Sequence, residues 1–411
     1  MTPADGQKTG RLGTERPERA HRNATAQPAS ATDPTDPDIS ETDLRACVER
    51  AARYLSRATE CGGAPSALLS FDRLFARSFT GPEARRLVGE RLDADPGFDL
   101  ADEVFSAMVS LALLPAPASP AQRALANRLA AQIETCRWRG RYRFFADANG
   151  FPADTDCTAI AASALFEHGL LSATELDARV RELLLAAAPT AGVAHQHGCG
   201  DDGDLHPHAF MVYWDDGAEP ATTARGRKQD AVACANALYT VELNGPQTGE
   251  KATTVIRETT GYLLGQLDSG RYLDGTRYYP SPEAFLYAVS RICAQFPRNA
   301  SARVLAAPVR RALEEREANA PARAMAAEPG TSLAIAHRVL AADNLNITAG
   351  QAQRRALLAG AQRPDGSWPA CPHYRMGRFP VYFGSPYLTT VFAHAALDPR
   401  GTPDPTSGRF R

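Results

Sequence analysis

No apolar run in the sequence approaches the roughly 18 to 20 residues that span a bilayer, so no transmembrane segment is expected. The opening residues, MTPADGQKTGRLGTERPERA, carry charges with no apolar stretch behind them and give no secretory signal. An excess of one charge is lacking too. The formal net charge is −2, which leaves nucleic acid and anionic membrane surfaces without support as main partners. The eight cysteines form no CxxC pair, which speaks against a disulfide framework or a structural zinc module and suits small buried side chains in a reducing cytoplasm. Runs of strict two-residue alternation are scarce, so strands are not expected to build the core.

What the sequence does hold is helix. Hydrophobic residues make up 44% of 411 residues, enough for one large core, and from about residue 42 they recur at three- and four-residue spacing. That spacing predicts helices over 42–58, 65–77, 82–92, 98–114, 119–137, 155–168, 173–187, 229–243, 249–266, 281–296, 300–317, 330–343, 350–361 and 384–397. Residues 1–40 are poor in large apolar side chains and read as a disordered tail, residues 41–400 as a single domain and residues 401–411 as a second flexible tail.

The predicted helices are of two kinds. Some are charged on one face, such as ATELDARVRELLLAAA and EKATTVIRETTGYLLGQL, and should meet water. Others are apolar nearly all round, such as TAIAASALFEHGLL, AVACANALYTVEL and SPYLTTVFAHAAL, and should be buried. The two kinds alternate, as an all-α, α/α-barrel with concentric inner and outer helices requires. Aromatic loops recur before the apolar helices, in RYRFFADANGFPADTDCTA, RYLDGTRYYPSPEAFLYA and DGSWPACPHYRMGRFPVYFGSPYLTT. Phe144, Phe145, Trp214, Tyr278, Tyr279, Phe285, Tyr382, Phe383 and Tyr387 are thereby candidates for lining a cavity at one end of the inner ring, or else for plugging that end.

The stretch FPADTDCTAI sets two carboxylates at the start of an apolar helix. Asp154 is a natural N-cap, its oxygen accepting from backbone N–H groups two or three residues on. Asp156 is not needed for that. Carboxyls this close repel when both are ionised, so one tends to keep its proton, while the helix N-terminus stabilises the anion left when it departs. Such a group can protonate a demanding acceptor such as an alkene. Near the other end, RRALLAGAQRPDGSW places Gln362, Gly366 and Trp368 in the pattern Q-x-x-x-G-x-W.

That pattern is similar to the QW repeat of the terpene cyclase and prenyltransferase α/α-barrel superfamily, and with the Asp-x-Asp pair the region from about 98 to 397 resembles the β-domain of class II terpene cyclases, whose acid motif is DxDD or DxDTT. DTDCT, VYWDD, DAVACANAL and LDGTRYYPSPEAFLYAVSR resemble the cyclase half of proteins that fuse a haloacid-dehalogenase-like phosphatase to a drimane-forming cyclase. The resemblance implies that Asp156 is the general acid, with Asp154 as its partner carboxylate and Thr158 matching the motif's last position. Cys157 departs from it, standing where the family has Asp or Thr. Asn236, in the middle of an apolar helix, is expected to hydrogen-bond Asp156 or Asp154.

The implied reaction is protonation-initiated cyclisation of farnesyl diphosphate to a bicyclic drimane-type product that keeps its diphosphate. No DxDxT-led α/β domain stands in residues 1–97, so a separate phosphatase would act on the product. Mg2+ is the implied cofactor, acting through the substrate diphosphate, since no DDxxD-type ligand motif is present. Arg225, Arg227, Lys228 and Arg277, near loop ends, are candidates for holding the diphosphate. The stretch HQHGCGDDGDLHPH reads as a loop or part of a cavity mouth before it reads as a zinc site, because no metal-ligand spacing accompanies it. Three other readings remain open: a barrel that binds an isoprenoid or a protein partner without chemistry, a cyclase of a prenylated aromatic, and a carbohydrate enzyme. The last fits poorly, because paired glycosidase carboxyls must flank the bond at least ~5 Å apart.

Overall fold

The computed structural model describes residues 39–398 apart from 61, 94, 96–99, 116–118, 147–150, 189–204, 215, 221, 223–224, 248 and 378. Both expected tails fall outside them, save residues 39 and 40, as does most of the histidine-rich stretch. In chain order the elements begin α1 (Glu41–Ala58), β1 (Leu68–Ser70), α2 (Gly81–Leu92), α3 (Phe105–Leu113), α4 (Pro120–Glu134), β2 (Arg137–Trp138) and β3 (Arg141–Tyr142). Then come α5 (Thr155–Glu167), α6 (Ala173–Leu185), α7 (Ala231–Leu243), α8 (Glu250–Ser269), α9 (Pro282–Gln295), α10 (Ala300–Asn319) and the short α11 (Ala322–Ala326). The described chain closes with α12 (Ser332–Asn344), α13 (Gln351–Gly360), β4 (Tyr374–Arg375), β5 (Tyr382–Gly384) and α14 (Pro386–Leu397).

Burial sorts these helices into two rings. Every residue of α5 from Thr155 to Leu165 is buried, and so is every residue of α7 from Ala231 to Val241. In α8 only a stripe of Ala252, Val255, Thr259, Thr260, Leu263 and Leu267 is buried, which is the pattern of a surface helix. The inner ring closes on itself: α3 packs on α5, α5 on α7, α7 on α9, α9 on α12, α12 on α14, and α14 returns to α3. Outside it, α4 lies on α3, α6 on α5, α8 on α7, α10 on α9, α13 on α12 and α1 on α14. Each outer helix carries the chain back, so the inner helices run the same way and their N-termini gather at one end.

The loops entering that end tie to one another. β5 pairs antiparallel with both β1 and β4, and single bridges join Glu103 to Phe145, Arg143 to Ala153 and Asp154 to Tyr213. These strands are only two or three residues long, and β1 pairs with β5 from the far end of the sequence, so no local periodicity announces them. The helix expected over 65–77 does not form. Asp72 accepts from the backbone of Leu74 and Ala76, both at 3.0 Å, and Ser70 Oγ accepts from Asp72 N at 3.0 Å, so side chains turn the backbone before a helix can start. The helix expected over 98–114 begins only at Phe105, and the one expected over 119–137 ends at Glu134, where the chain turns into β2.

Gln362, Gly366 and Trp368 join the two ends of the ring. Gln362 Nε2 donates to the carbonyls of Cys47 in α1 (2.9 Å) and Gly366 (3.1 Å), while its Oε1 accepts from Arg50 (2.9 Å). Fully buried Trp368 donates to Leu358 O of α13 at 2.7 Å, and its backbone N–H donates to Thr390 of α14 at 3.0 Å. Gly366 is required: its φ is +92°, and a Cβ there would stand 2.4 Å from Arg50 O.

A buried ion network holds the opposite arc. Glu283, at the start of α9, pairs with Arg338 of α12 at 2.8 Å and with Arg316 of α10 at 2.8 Å, with Glu283 2% and Arg338 0% exposed. Burial works against the Glu283 charge, yet the two guanidinium groups hold its carboxyl down to about 2. Glu283→Ala is expected to cost about 3 kcal/mol in denaturant unfolding, because it leaves the buried Arg338 with only the part-exposed Glu317, at 3.2 Å, as counterion. A depressed carboxyl stabilises the fold above its ordinary value near 4.5, and that stability is lost as pH falls through about 2. The variant should therefore lose stability at neutral pH and lose the wild type's acid dependence in that window.

Candidate active site

The acid motif is fixed by loops on both sides. Asp154 caps α5, its Oδ1 accepting from Cys157 N at 2.7 Å, as the sequence predicts. Thr155 donates to Met211 O (2.6 Å), its N–H donates to Val212 O (2.8 Å), and Thr158 Oγ1 accepts from Tyr142 N (3.0 Å). Asp156, in the first turn, is therefore held without spending its own oxygens on the backbone, and it is buried to 5% exposure. One oxygen accepts from Asn236 Nδ2 at 2.8 Å, the pairing expected from sequence, and the other accepts a short hydrogen bond from the Tyr279 hydroxyl.

The Asn236 amide has no freedom to flip, because its Oδ1 accepts from Arg291 Nη1 at 3.3 Å and arginine only donates. Burial pushes the Asp156 carboxyl up to about 7 against the pull of Tyr279 and Asn236. Burial and the nearby charge of Asp156 push Asp154 up to about 7 as well. Burial and then Asp156 push Tyr279 well above the usual phenol value, so it stays a donor. Cys157 is likewise pushed well above the ordinary thiol value by burial, then by Asp154 and Asp156, and it hydrogen-bonds Asp154. A neutral thiol there makes the kind of contact a threonine hydroxyl would.

Near this acid lies a narrow cavity of about 40 Å³ inside the inner ring. Asn236, Tyr279, Ile160 and Val232 form its wall on the acid side, and Tyr287, Arg291, His337, His373 and Phe392 stand among the rest. Asp156 stands one layer behind that wall, reaching the cavity through the two groups that hold its oxygens. A ligand enters only as lining side chains part.

Of the residues singled out from sequence, Asp154, Asp156, Asn236 and Tyr279 come together. The other aromatics do not line this cavity. Phe144, Phe145 and Phe383 stack with Phe105, Phe151 and Tyr374 as a plug across the loop end. Tyr278 stacks on Tyr374 beside Tyr213, Tyr382 stands in β5, Phe285 packs on Tyr272, and Tyr387 is buried at the start of α14. Trp214 donates to Glu182 O at 3.0 Å under the Arg141 guanidinium. Cys157 and Thr158 face the loops, away from the cavity wall. The basic candidates stay at the plugged end also: Arg225 lies over Phe151, Lys228 over Tyr213, and the Arg277 carbonyl accepts from Arg375, while Arg227 is likewise absent from the cavity wall. The cation on the cavity wall is Arg291, which sequence reasoning missed. Although burial opposes its charge, Tyr287, Tyr239 and Glu167 around it favour the charged form.

These carboxyls make a stored acid. At neutral pH a group titrating near 7 is about half protonated, against about one in a thousand for an exposed aspartate. Any turnover that needs this proton is expected to hold level below pH 7 and fall about tenfold per unit above it, in a kcat–pH profile; a midpoint near 4 would contradict this geometry. Among the described residues no group of three or more His, Cys, Asp or Glu could hold a metal ion, and Asp216 is paired with Arg141.

No family model matches the chain. Among curated proteins it is similar to a drimenol cyclase of Aspergillus calidoustus, 30% identical over 168 residues, or 41% of this chain and 29% of that protein. The match thus spans under a third of that relative's length. Among solved structures it is similar to the type II terpene cyclase MstE from Scytonema, at 11% identity and a TM-score of 0.57 over 87% of this chain and 98% of that one. A variant of MstE in complex with geranylgeranyl dihydroxybenzoate as substrate matches at 11% identity and a TM-score of 0.53, over 87% and 96%. A protein from Actinoplanes matches at 17% identity and a TM-score of 0.55, over 87% and 99%. At these identities the likeness establishes the fold: the chain has the α/α-barrel of the type II terpene cyclases.

Proposed function

We propose that this chain, built on the type II terpene cyclase barrel, is itself a class II terpene cyclase that protonates a linear prenyl chain and closes it into two rings. The observation that carries the reading is Asp156, a buried carboxyl raised to about 7 by burial and gripped by Asn236 and Tyr279, one layer behind the wall of a largely apolar cavity. Asp156 gives its proton to the terminal alkene where those two side chains open onto the cavity. Asp154 keeps the pair short of full ionisation. The π-faces of Tyr287 and Phe392 stabilise the cation as it moves along the chain without acting as bases. The dry walls keep water from quenching it early.

The anionic head of the substrate is met by Arg291, whose guanidinium also orients Asn236. This replaces Arg225, Arg227, Lys228 and Arg277 as the head-group contact. The drimenol cyclase likeness supports a fifteen-carbon chain and a drimane skeleton. The diphosphate is then retained in the product and a separate phosphatase removes it. The described residues do not fit a protein-held metal, so any Mg2+ comes with the diphosphate and no step is routed through it.

A second substrate reading rests on the cavity charge. Arg291 is the one Lys or Arg on the described cavity wall, which matches a single carboxylate better than a diphosphate, and MstE takes a geranylgeranyl dihydroxybenzoate. Purified protein incubated with farnesyl diphosphate, geranylgeranyl diphosphate and a prenylated dihydroxybenzoate, followed by phosphatase treatment and mass analysis, separates the two. Cyclic products from the diphosphates support the first reading, cyclic products from the benzoate alone support the second, and no cyclic product from any of them contradicts both.

A further inference from the structure

The cavity holds two buried histidines that acid chemistry at Asp156 does not use. His337 lies on α12 and is 1% exposed; His373 lies in the loop before β4 and is 5% exposed. Both line the cavity, and the Nδ1 atom of each is buried without a hydrogen-bond partner. A buried imidazole nitrogen ordinarily finds a partner, since leaving it bare costs about 1–3 kcal/mol. Two such nitrogens bordering one cavity point to something that visits it.

Their surroundings suit a cation. His337 stacks on Tyr287 with ring centroids 5.4 Å apart and meets the edge of Phe392 at 4.6 Å. His373 lies 5.2 Å from Phe392, 5.6 Å from Tyr279 and 6.0 Å from His337. Burial pushes His337 down to about 4, and burial with the neighbouring His337 pushes His373 down to about 3, so both are neutral imidazoles at pH 7. The inner ring runs α3, α5, α7, α9, α12, α14, which sets α12 directly across from α5. His337 therefore faces the cavity from the helix opposite the one that carries Asp156.

Resting on the cyclase reading above, we infer that the His337 and His373 pair is the base that ends the cyclisation. After ring closure the cationic carbon is flanked by C–H bonds. One of these breaks, its electron pair becomes the new C=C bond, and the proton passes to an imidazole Nδ1, giving an imidazolium. Asp156 has lost one proton and the pair has gained one, so the reaction is an isomerisation with no oxidant, reductant or net proton. A weak base suffices, because a tertiary alkyl cation is a far stronger acid than any imidazolium. Position decides, and His337, across the ring from the acid with His373 6.0 Å beside it, cannot intercept the proton before the rings close.

The test uses the full chain and the substrate that the wild type turns over, with product analysis by gas chromatography and mass spectrometry after phosphatase treatment. His337→Phe, His373→Phe and the double variant are compared with His337→Gln and His373→Gln, and thermal melts check that each folds. The expected result is substrate consumption within about tenfold of wild type, with the ratio of olefin to water-captured alcohol falling at least tenfold in the double variant. A merely structural role would lower the rate and leave that ratio in place. An unchanged ratio in folded variants with intact wild-type turnover overturns this inference alone. A wild type inert toward every substrate overturns the cyclase reading and the inference with it.

Discussion

Asp156→Asn is expected to remove cyclisation, lowering kcat by at least about 10³-fold while the protein still folds. The amide is nearly isosteric and can still accept from Asn236 and donate to the Tyr279 oxygen, so the cost is confined to the Tyr279 O–H, which loses its acceptor. What it cannot do is release a proton to an alkene. Asp154→Asn makes the contrast. Asparagine is as good an N-cap as aspartate, so α5 should start as before, and the loss should be confined to the charge that lifts its neighbour. Equal losses from the two substitutions would contradict the division of labour between cap and acid.

Arg291→Met is expected to raise KM by about 10- to 150-fold with a smaller change in kcat, the size of one lost charge-assisted contact to an anionic head group. Arg291 also holds Asn236 by its Oδ1 at 3.3 Å and lies over the Tyr239 ring at 4.2 Å, so part of the effect reaches the acid. Arg291→Lys keeps the charge, loses the planar fork, and should recover KM only in part. An unchanged KM in Arg291→Met, with folding verified by thermal melt, would place the head group elsewhere.

Much of this arrangement is legible in the sequence because it depends on local chemistry. The alternation of one-sided and all-round apolar helices gives the two rings, and TDCTAIAASALFE and AVACANALYTVEL are buried as their composition requires. Asp154 as a cap follows from its place before an apolar run. Asn236 as a partner follows from the need of a buried amide for a bond. Arg291 and His337 could have been found by the same rule, since AVSRICAQ and LAIAHRVL each set charged or titratable side chains in a largely apolar helix. His373 offers no such signal, because it sits in a loop outside any helix, held by its backbone bond to Phe383 O of β5. The stretch LLSFDRLFARSF carries helical spacing, yet the local bonds of Ser70 and Asp72 and the positive φ of Phe75 (57°) decide against a helix. The recurrence of the aromatic loops before apolar helices sets them at one end, but whether they line or plug it depends on which way each ring turns. That is set by contacts such as Phe144 on Phe105 and Tyr278 on Tyr374, which no spacing encodes.

The most direct measurement is turnover of farnesyl diphosphate in D2O, with the product analysed both intact and after phosphatase treatment. Protonation by Asp156 predicts a bicyclic product that keeps its diphosphate and carries one deuterium on the ring methylene next to the gem-dimethyl carbon, absent when Asp156→Asn replaces the wild type. A product without deuterium, formed with release of inorganic pyrophosphate, would mean that ionisation rather than protonation starts the reaction and would contradict the account.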